Sequence, residues 1–287
     1  MLAVFKKELR SYFTSMTGYV FMAFFVAVVG IYFLAYNLNY GYPYFTYSLS
    51  SASFVYIIIV PILTMRIIAE ERKQKTDQLL LTAPVSIVKI ILGKYLSLLA
   101  ILAIPIAMFC LYPLILTQFG KINFQMTYTG ILGYFLLGAT FMAVGMFISS
   151  ITESMVIAAV LSFGVLFLSY MCTGLADFIS SEASASYIGF MLIAILVGVI
   201  MYIMTANYTM SAVICLALMV ADTVLYFVKS SLFESALPNM LNALSLTKKF
   251  SDLSSGMFDL TAIVYYISVS GLFIFFTVQS VQKRRYS

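Results

Sequence analysis

The chain has 287 residues, of which 63% are hydrophobic and 9% charged, with a net charge of +5 and a mean hydropathy of +1.04. A soluble globular domain is about 45 to 50% apolar, so this composition excludes a water-soluble globule and predicts a polytopic, all-α membrane protein formed as one membrane domain, residues 1–287. Histidine is absent, which removes Ser-His-Asp and Cys-His catalysis and histidine metal sites.

Residues 1–15 carry Leu2, Phe5, Leu9 and Phe13 at helical spacing, with Lys6, Lys7, Glu8 and Arg10 on the remaining face. This predicts a helix lying on the inner leaflet. The apolar run from Gly18 to Tyr36 is long enough to span a bilayer, at about 20 residues. No A-x-A-like site follows it, so it reads as a first transmembrane helix rather than a cleaved signal peptide. Tyr32, Tyr36, Tyr40, Tyr42, Tyr44 and Tyr47 crowd the loop after it and read as an aromatic belt, since Trp is absent.

Further apolar runs fall at about Ser53–Ala69, Ile87–Thr117, Tyr128–Ile151, Ser154–Leu175, Tyr187–Thr205, Tyr208–Val228 and Leu260–Val281, making eight predicted spans. With a cytoplasmic N-terminus, twelve of the sixteen basic residues lie inside and only Lys121, Lys229, Lys248 and Lys249 lie outside. That is positive-inside sorting, and an even number of spans returns the C-terminus to the cytoplasm. Pro61, Pro105 and Pro113 fall within predicted spans, where they permit kinks. Gly138, Ala139, Ala143 and Gly145 predict close helix packing. The spans on either side of Ala206-Asn207 predict a tight helical hairpin, residues 187–228.

Seven charges fall within the twelve positions from Arg66 to Asp77, between two apolar runs. Here Thr76 is suited to N-cap a short helix with Asp77 in its first turn, Leu79, Leu80 and Leu81 supply an apolar face, and Ala83-Pro84 ends it. Residues 66–86 therefore predict a cytoplasmic loop that can grip a partner. The segment 229–259 predicts an external interfacial or re-entrant helix, since Phe233, Leu237, Met240, Leu241 and Leu244 recur at three- and four-residue steps. Pro238 bends it or begins a new turn, and Ser254-Ser255-Gly256 turns the chain into the last span. The segment reads as a cap over the outward mouth, or as a tether for that span.

No G-x-x-x-x-G-K-[ST] occurs: Gly93-Lys94 lacks a glycine at Val88, and Gly120-Lys121 lacks one at Ile115. The chain therefore hydrolyses no nucleotide itself. Cys110, Cys172 and Cys215 lie inside or at the edge of apolar runs and read as buried thiols. Asp222 is the clear candidate for an ionisable group within a span, with Lys229 available to pair on the same face. It supports an alternative function, an ion-coupled carrier or membrane assembly factor.

Glu70-Glu71-Arg72, Thr76 and Leu79-Leu80-Leu81-Thr82-Ala83-Pro84-Val85 resemble the E-E-R-x-x-G-T-x-E-L-L-L-T-x-P segment of ABC-2 type transporter permeases, in the branch of gliding-motility-associated and nitrous-oxide-operon permeases. The opening from Phe5 to Ser15 is similar to that branch's start. Leu244-Ser245, Phe250, Gly256, Asp259 and Tyr265 to Arg285 are similar to its end. Lys75 stands where the family usually has Gly, Gln78 stands where it usually has Glu, and the 187–228 hairpin exceeds its usual six spans.

The resemblance implies a type II exporter bundle of six core transmembrane helices, working as a dimer in the plasma membrane. It implies that cytoplasmic ABC ATPase subunits bind the ATP and dock on the loop between the second and third spans. Glu70, Glu71, Arg72, Thr76, Leu79, Leu80, Leu81 and Pro84 would then form the ATPase-coupling site. Phe233, Leu237, Leu241, Phe250, Gly256 and Asp259 would form the external cap. The expected partners are that ATPase, a second permease copy, the lipid bilayer and, as an option, an accessory membrane or extracytoplasmic subunit. No nucleic acid, metal, catalytic residue or cofactor of the chain's own is expected.

Overall fold

A computed structural model describes residues 1–76, 85–205, 207–255 and 259–286. Among the described residues all regular structure is helical. Eight helices are long and apolar enough to cross a membrane, as expected of a multi-pass membrane protein. Helix is what such runs must form, because in lipid each backbone N–H and C=O has to be satisfied within its own segment. Two compact units form, one from Met1–Leu168 with Lys249–Ser287 and one from Ser169–Lys248.

In the first unit, α1 (Leu2–Thr14) turns at Ser15 into α2 (Met16–Tyr32), which runs on as a π-helical stretch, Phe33–Asn39. The second span is longer than its apolar run predicts. It is built from α3 (Phe45–Ser51), a 3-10 turn (Ala52–Phe54), α4 (Val55–Ile67) and α5 (Ala69–Lys73). Next come α6 (Ile87–Phe109) and the short α7 (Tyr112–Leu116), with Pro113 in its first turn. Pro113 thus starts a helix, while Pro61 and Pro105 lie inside α4 and α6. Helix α8 (Phe124–Ile151) is N-capped by Asn123, whose side chain accepts from the Met126 N–H. It packs on α4, α6 and α14 (Leu260–Tyr286).

The core is aromatic. Phe25, Tyr56, Phe109, Tyr134 and Phe141 are fully buried, and the Phe25 ring lies 5.2 Å from Tyr56 and 5.3 Å from Phe109. Burial of the Tyr56 hydroxyl is tolerated because it donates to the Tyr134 carbonyl at 2.9 Å. In lipid such rings are held by close packing, since the tails are as apolar as the core. The small residues of α8 work as expected. A Cβ at Gly138 would meet the Tyr56 ring at 2.7 Å and Leu102 at 2.8 Å, and Gly145 faces Thr64.

The second unit holds the end of α9 (Met155–Phe178), then α10 (Ala183–Thr205), α11 (Tyr208–Val228), a 3-10 turn (Ser230–Leu232) and α12 (Ala236–Leu244). Helices α10 and α11 form the predicted hairpin, with Asn207 capping α11 and the Tyr187 and Tyr226 rings stacked at 4.7 Å. The expected single apolar face on 229–259 splits. Phe233 and Leu237 are buried, whereas Met240 and Leu244 are exposed. Pro238 sits in the first turn of α12 and begins it rather than bending it.

Candidate functional site

The site begins at Gly93 on α6. A Cβ there would lie 3.0 Å from the Met1 carbonyl oxygen and 3.2 Å from Val4 Cβ, so the missing side chain lets the start of α1 rest on α6. Docked in this way, α1 turns Glu8 and Tyr12, one helical turn apart, into the bundle. The expectation that Glu8 shares the solvent face of Lys6 and Arg10 is therefore corrected. Leu2, Phe5, Leu9 and Phe13 stay exposed or half-buried, as suits a lipid-facing stripe.

Lys94 follows Gly93 and is 2% exposed. Its ammonium lies 2.9 Å from Glu8 Oε1, 2.8 Å from Glu71 Oε2 and 2.8 Å from the Ile67 carbonyl oxygen. Three donors thus meet three acceptors, which is what a buried ammonium requires. Lys7 Nζ reaches Glu71 Oε1 at 2.8 Å and Glu8 at 3.3 Å. Two lysines and two glutamates therefore alternate in a neutral cluster joining α1, α5 and α6. Partial burial would lower the Lys7 pKa, but the hydrogen bond and charge of Glu71, together with Glu8, hold it above its ordinary value.

Around this cluster the second span breaks at Ile68, between α4 and α5, where φ is −126°. Ser149 of α8 satisfies the interrupted backbone, accepting from the Ala69 N–H at 3.1 Å and donating to the Met65 carbonyl at 3.2 Å. Arg66 makes a bidentate contact with Glu70, at 2.8 and 3.2 Å, and donates to Thr17 Oγ1 of α2 at 2.8 Å. The buried Arg72 donates to the Thr152 carbonyl beyond α8 at 3.2 Å. Tyr12 donates to the Leu63 carbonyl of α4 at 2.8 Å, and burial pushes its hydroxyl far above the ordinary tyrosine value.

Two of the expected coupling charges, Glu71 and Arg72, thus point into the protein and bind the segment to α1, α6 and the end of α8, while Glu70 pairs locally with Arg66, which itself reaches α2. Helix α5 closes with the Thr76 N–H on the Glu71 carbonyl at 2.9 Å and the Lys75 N–H on Arg72 at 3.0 Å. This is a Schellman turn, and it puts Lys75 in the left-handed region at φ 57°. The Thr76 hydroxyl turns back onto the Glu71 carbonyl at 3.3 Å. Leu79, Leu80, Leu81 and Pro84 lie outside the described residues, as does the short helix expected to start at Thr76. Outward on the described part stand Lys73, Gln74, Lys75 and Thr76.

The residues expected in the external cap are divided between the two units. Phe233 and Leu237 pack within the second unit, Phe233 on the Phe190 ring at 5.9 Å and Leu237 on Gly189, with Leu241 half-buried on the same helix. Phe250, by contrast, lies on α13 (Leu246–Ser254) and belongs to the first unit, its ring 5.6 Å from Tyr134. Asp259 caps α14, accepting from the Thr261 N–H at 2.8 Å. Gly256 lies outside the described residues. Asp222 does not pair with Lys229: α11 ends at Val228, and Lys229 leaves the helix at φ −152°, ψ 77°.

Glu8, Gly93, Lys94, Ser149 and Thr152 were not expected at this site. One signal pointed to them, a lysine two turns inside an apolar run, since such a charge requires a partner. The arrangement is a set of ion pairs and hydrogen bonds that joins the segment around Glu71 to α1, α2, α6 and α8. No protein-family model matches this chain, and no curated protein matches it.

Proposed function

We propose that the chain is the membrane-spanning permease subunit of an ATP-driven ABC-2 type exporter, energised by a separate cytoplasmic ATPase that docks on the segment after the second span. The observation that carries this reading is the junction at Lys94. The segment 66–76 is tied through Glu71 and Lys94 to α1 and α6, through Arg66 to α2, and through Ser149 and Arg72 to α8 and its end. A force applied to the loop beyond Thr76 would reach four helices at once, which is the coupling a dock requires. The sorting of basic residues supports cytoplasmic termini in a plasma-membrane protein, and the family pattern supports a homodimer. An ion-coupled carrier built on Asp222 has less support, because Lys229 lies beyond the end of α11 and does not pair with Asp222.

The test is co-purification from the native host. Replacing Leu79 and Leu80 by Asp should abolish recovery of the ATPase while membrane insertion stays intact. Undiminished recovery with that variant rejects the dock.

A further inference from the structure

At the C-terminal ends of α8 and α14, Phe147 and Ile151 are one turn apart on α8. Phe276, Gln279, Ser280 and Lys283 share one face of α14 by their three- and four-residue spacing. Two contacts join these ends: the Ser280 hydroxyl donates to the Ser150 carbonyl at 3.1 Å, and Arg284 Nη1 lies 3.3 Å from Glu153 Oε1. Between them the six residues line a crevice of about 640 Å³. Phe276 rests on Phe147 at 5.7 Å and is 41% exposed, and Ile151 is 53% exposed.

The lining is graded. Phe147, Ile151 and Phe276 form an apolar floor, Gln279 and Ser280 a polar middle, and Lys283 a cationic rim in the last turn of a span. Glu153 is engaged by Arg284, and among the described residues no carboxylate pairs with the exposed Lys283. An ammonium at the end of a span, above an apolar floor, stands at headgroup level. The volume falls within the roughly 300 to 1,000 Å³ of small-ligand sites.

We propose that this crevice binds one anionic phospholipid of the surrounding leaflet, its phosphate at Lys283 and an acyl chain along Phe147, Ile151 and Phe276. The uncompensated charge selects an anionic lipid over a zwitterionic one. The apolar floor selects a lipid over a soluble phosphate. The site is independent of the permease reading, because it draws only on α8, α14 and their membrane ends.

The test uses the full-length chain in mild detergent, titrated with dioleoylphosphatidylglycerol, dioleoylphosphatidylcholine or inorganic phosphate, with bound adducts counted by native mass spectrometry. The wild-type chain should prefer phosphatidylglycerol and retain no inorganic phosphate. Lys283→Gln should weaken phosphatidylglycerol binding about fivefold, the loss of one basic residue near a headgroup, and erase the preference. Ile151→Trp narrows the apolar floor of the crevice and should weaken both lipids. Equal binding of the two lipids to the wild-type chain, unchanged phosphatidylglycerol binding in Lys283→Gln, or capture of inorganic phosphate would each overturn the proposal. Lys283 is exposed, so its variant decides the matter even where Ile151→Trp disturbs packing.

Discussion

Lys94 Nζ lies 2.8 Å from Glu71 Oε2, with the lysine side chain 2% exposed and the glutamate side chain 15% exposed. Glu71 lies within the charged segment and Lys94 beyond it in sequence, and their pairing makes the end of the second span part of the packed bundle. Glu8 arrives from the N-terminal helix as the second counter-charge, so three distant stretches of chain meet at one ammonium.

Replacing Lys94 by Met should therefore be severe, because it leaves two carboxylates buried against Lys7 alone. Loss of one partner of a buried pair costs about 3 to 5 kcal/mol. Thermal unfolding in detergent should show that loss. Adding Glu8→Gln and Glu71→Gln to Lys94→Met should recover most of it. A Lys94→Met chain that melts like the wild type would show that the cluster does not hold α1 and α5 together.

At Lys75 the expected change is opposite in sign. The residue adopts φ 57° in the turn that closes α5, a conformation that costs a residue with a Cβ about 1 to 2 kcal/mol and costs glycine little. Lys75→Gly should stabilise the turn by about 1 kcal/mol, read as slower amide exchange at Lys75 and Thr76. Lys75→Val should speed that exchange. The Schellman turn also gives a physical reason for glycine at this position in the permeases the segment resembles.

Asp259 offers a pH-dependent test. Hydrogen bonds from the Thr261 side chain and backbone hold its carboxyl below the usual carboxylate range. With the folded value below the unfolded one of about 3.9, the cap is fully present above that pH and is lost as pH falls through the lowered folded value. Protection of the amides in the first turn of α14, taken relative to their intrinsic exchange rates, should fall on acidification in the wild-type chain. Asp259→Ala should show low protection at all pH values, and Asp259→Asn should keep its protection into acid, because its amide oxygen caps without titrating.

The eight spans, the hairpin around Asn207 and the small-residue packing of α8 were legible in the sequence, because each depends on local properties. Apolar length against bilayer thickness decides a span, and a short polar joint decides a hairpin. The same locality explains the errors. Periodicity placed Glu8 with Lys6 and Arg10, since spacing along one helix cannot tell which face a second helix will cover. Counting charges from Arg66 to Asp77 marked a polar segment but not that Glu71 and Arg72 point inward. The residues that hold them there, Lys94 and Thr152, lie far away in sequence.

By itself, then, the sequence determined a membrane-spanning helical chain, the number and order of its spans and the one charged segment among them. Tertiary structure alone decided that this segment is anchored through Lys94, that α1 packs on Gly93, and that Phe250 joins a different unit from Phe233 and Leu237. Hydrophobic length acts on each helix alone, whereas a buried charge is stable only where opposite charges and hydrogen-bond partners converge on it from other helices. That convergence exists only in the folded bundle.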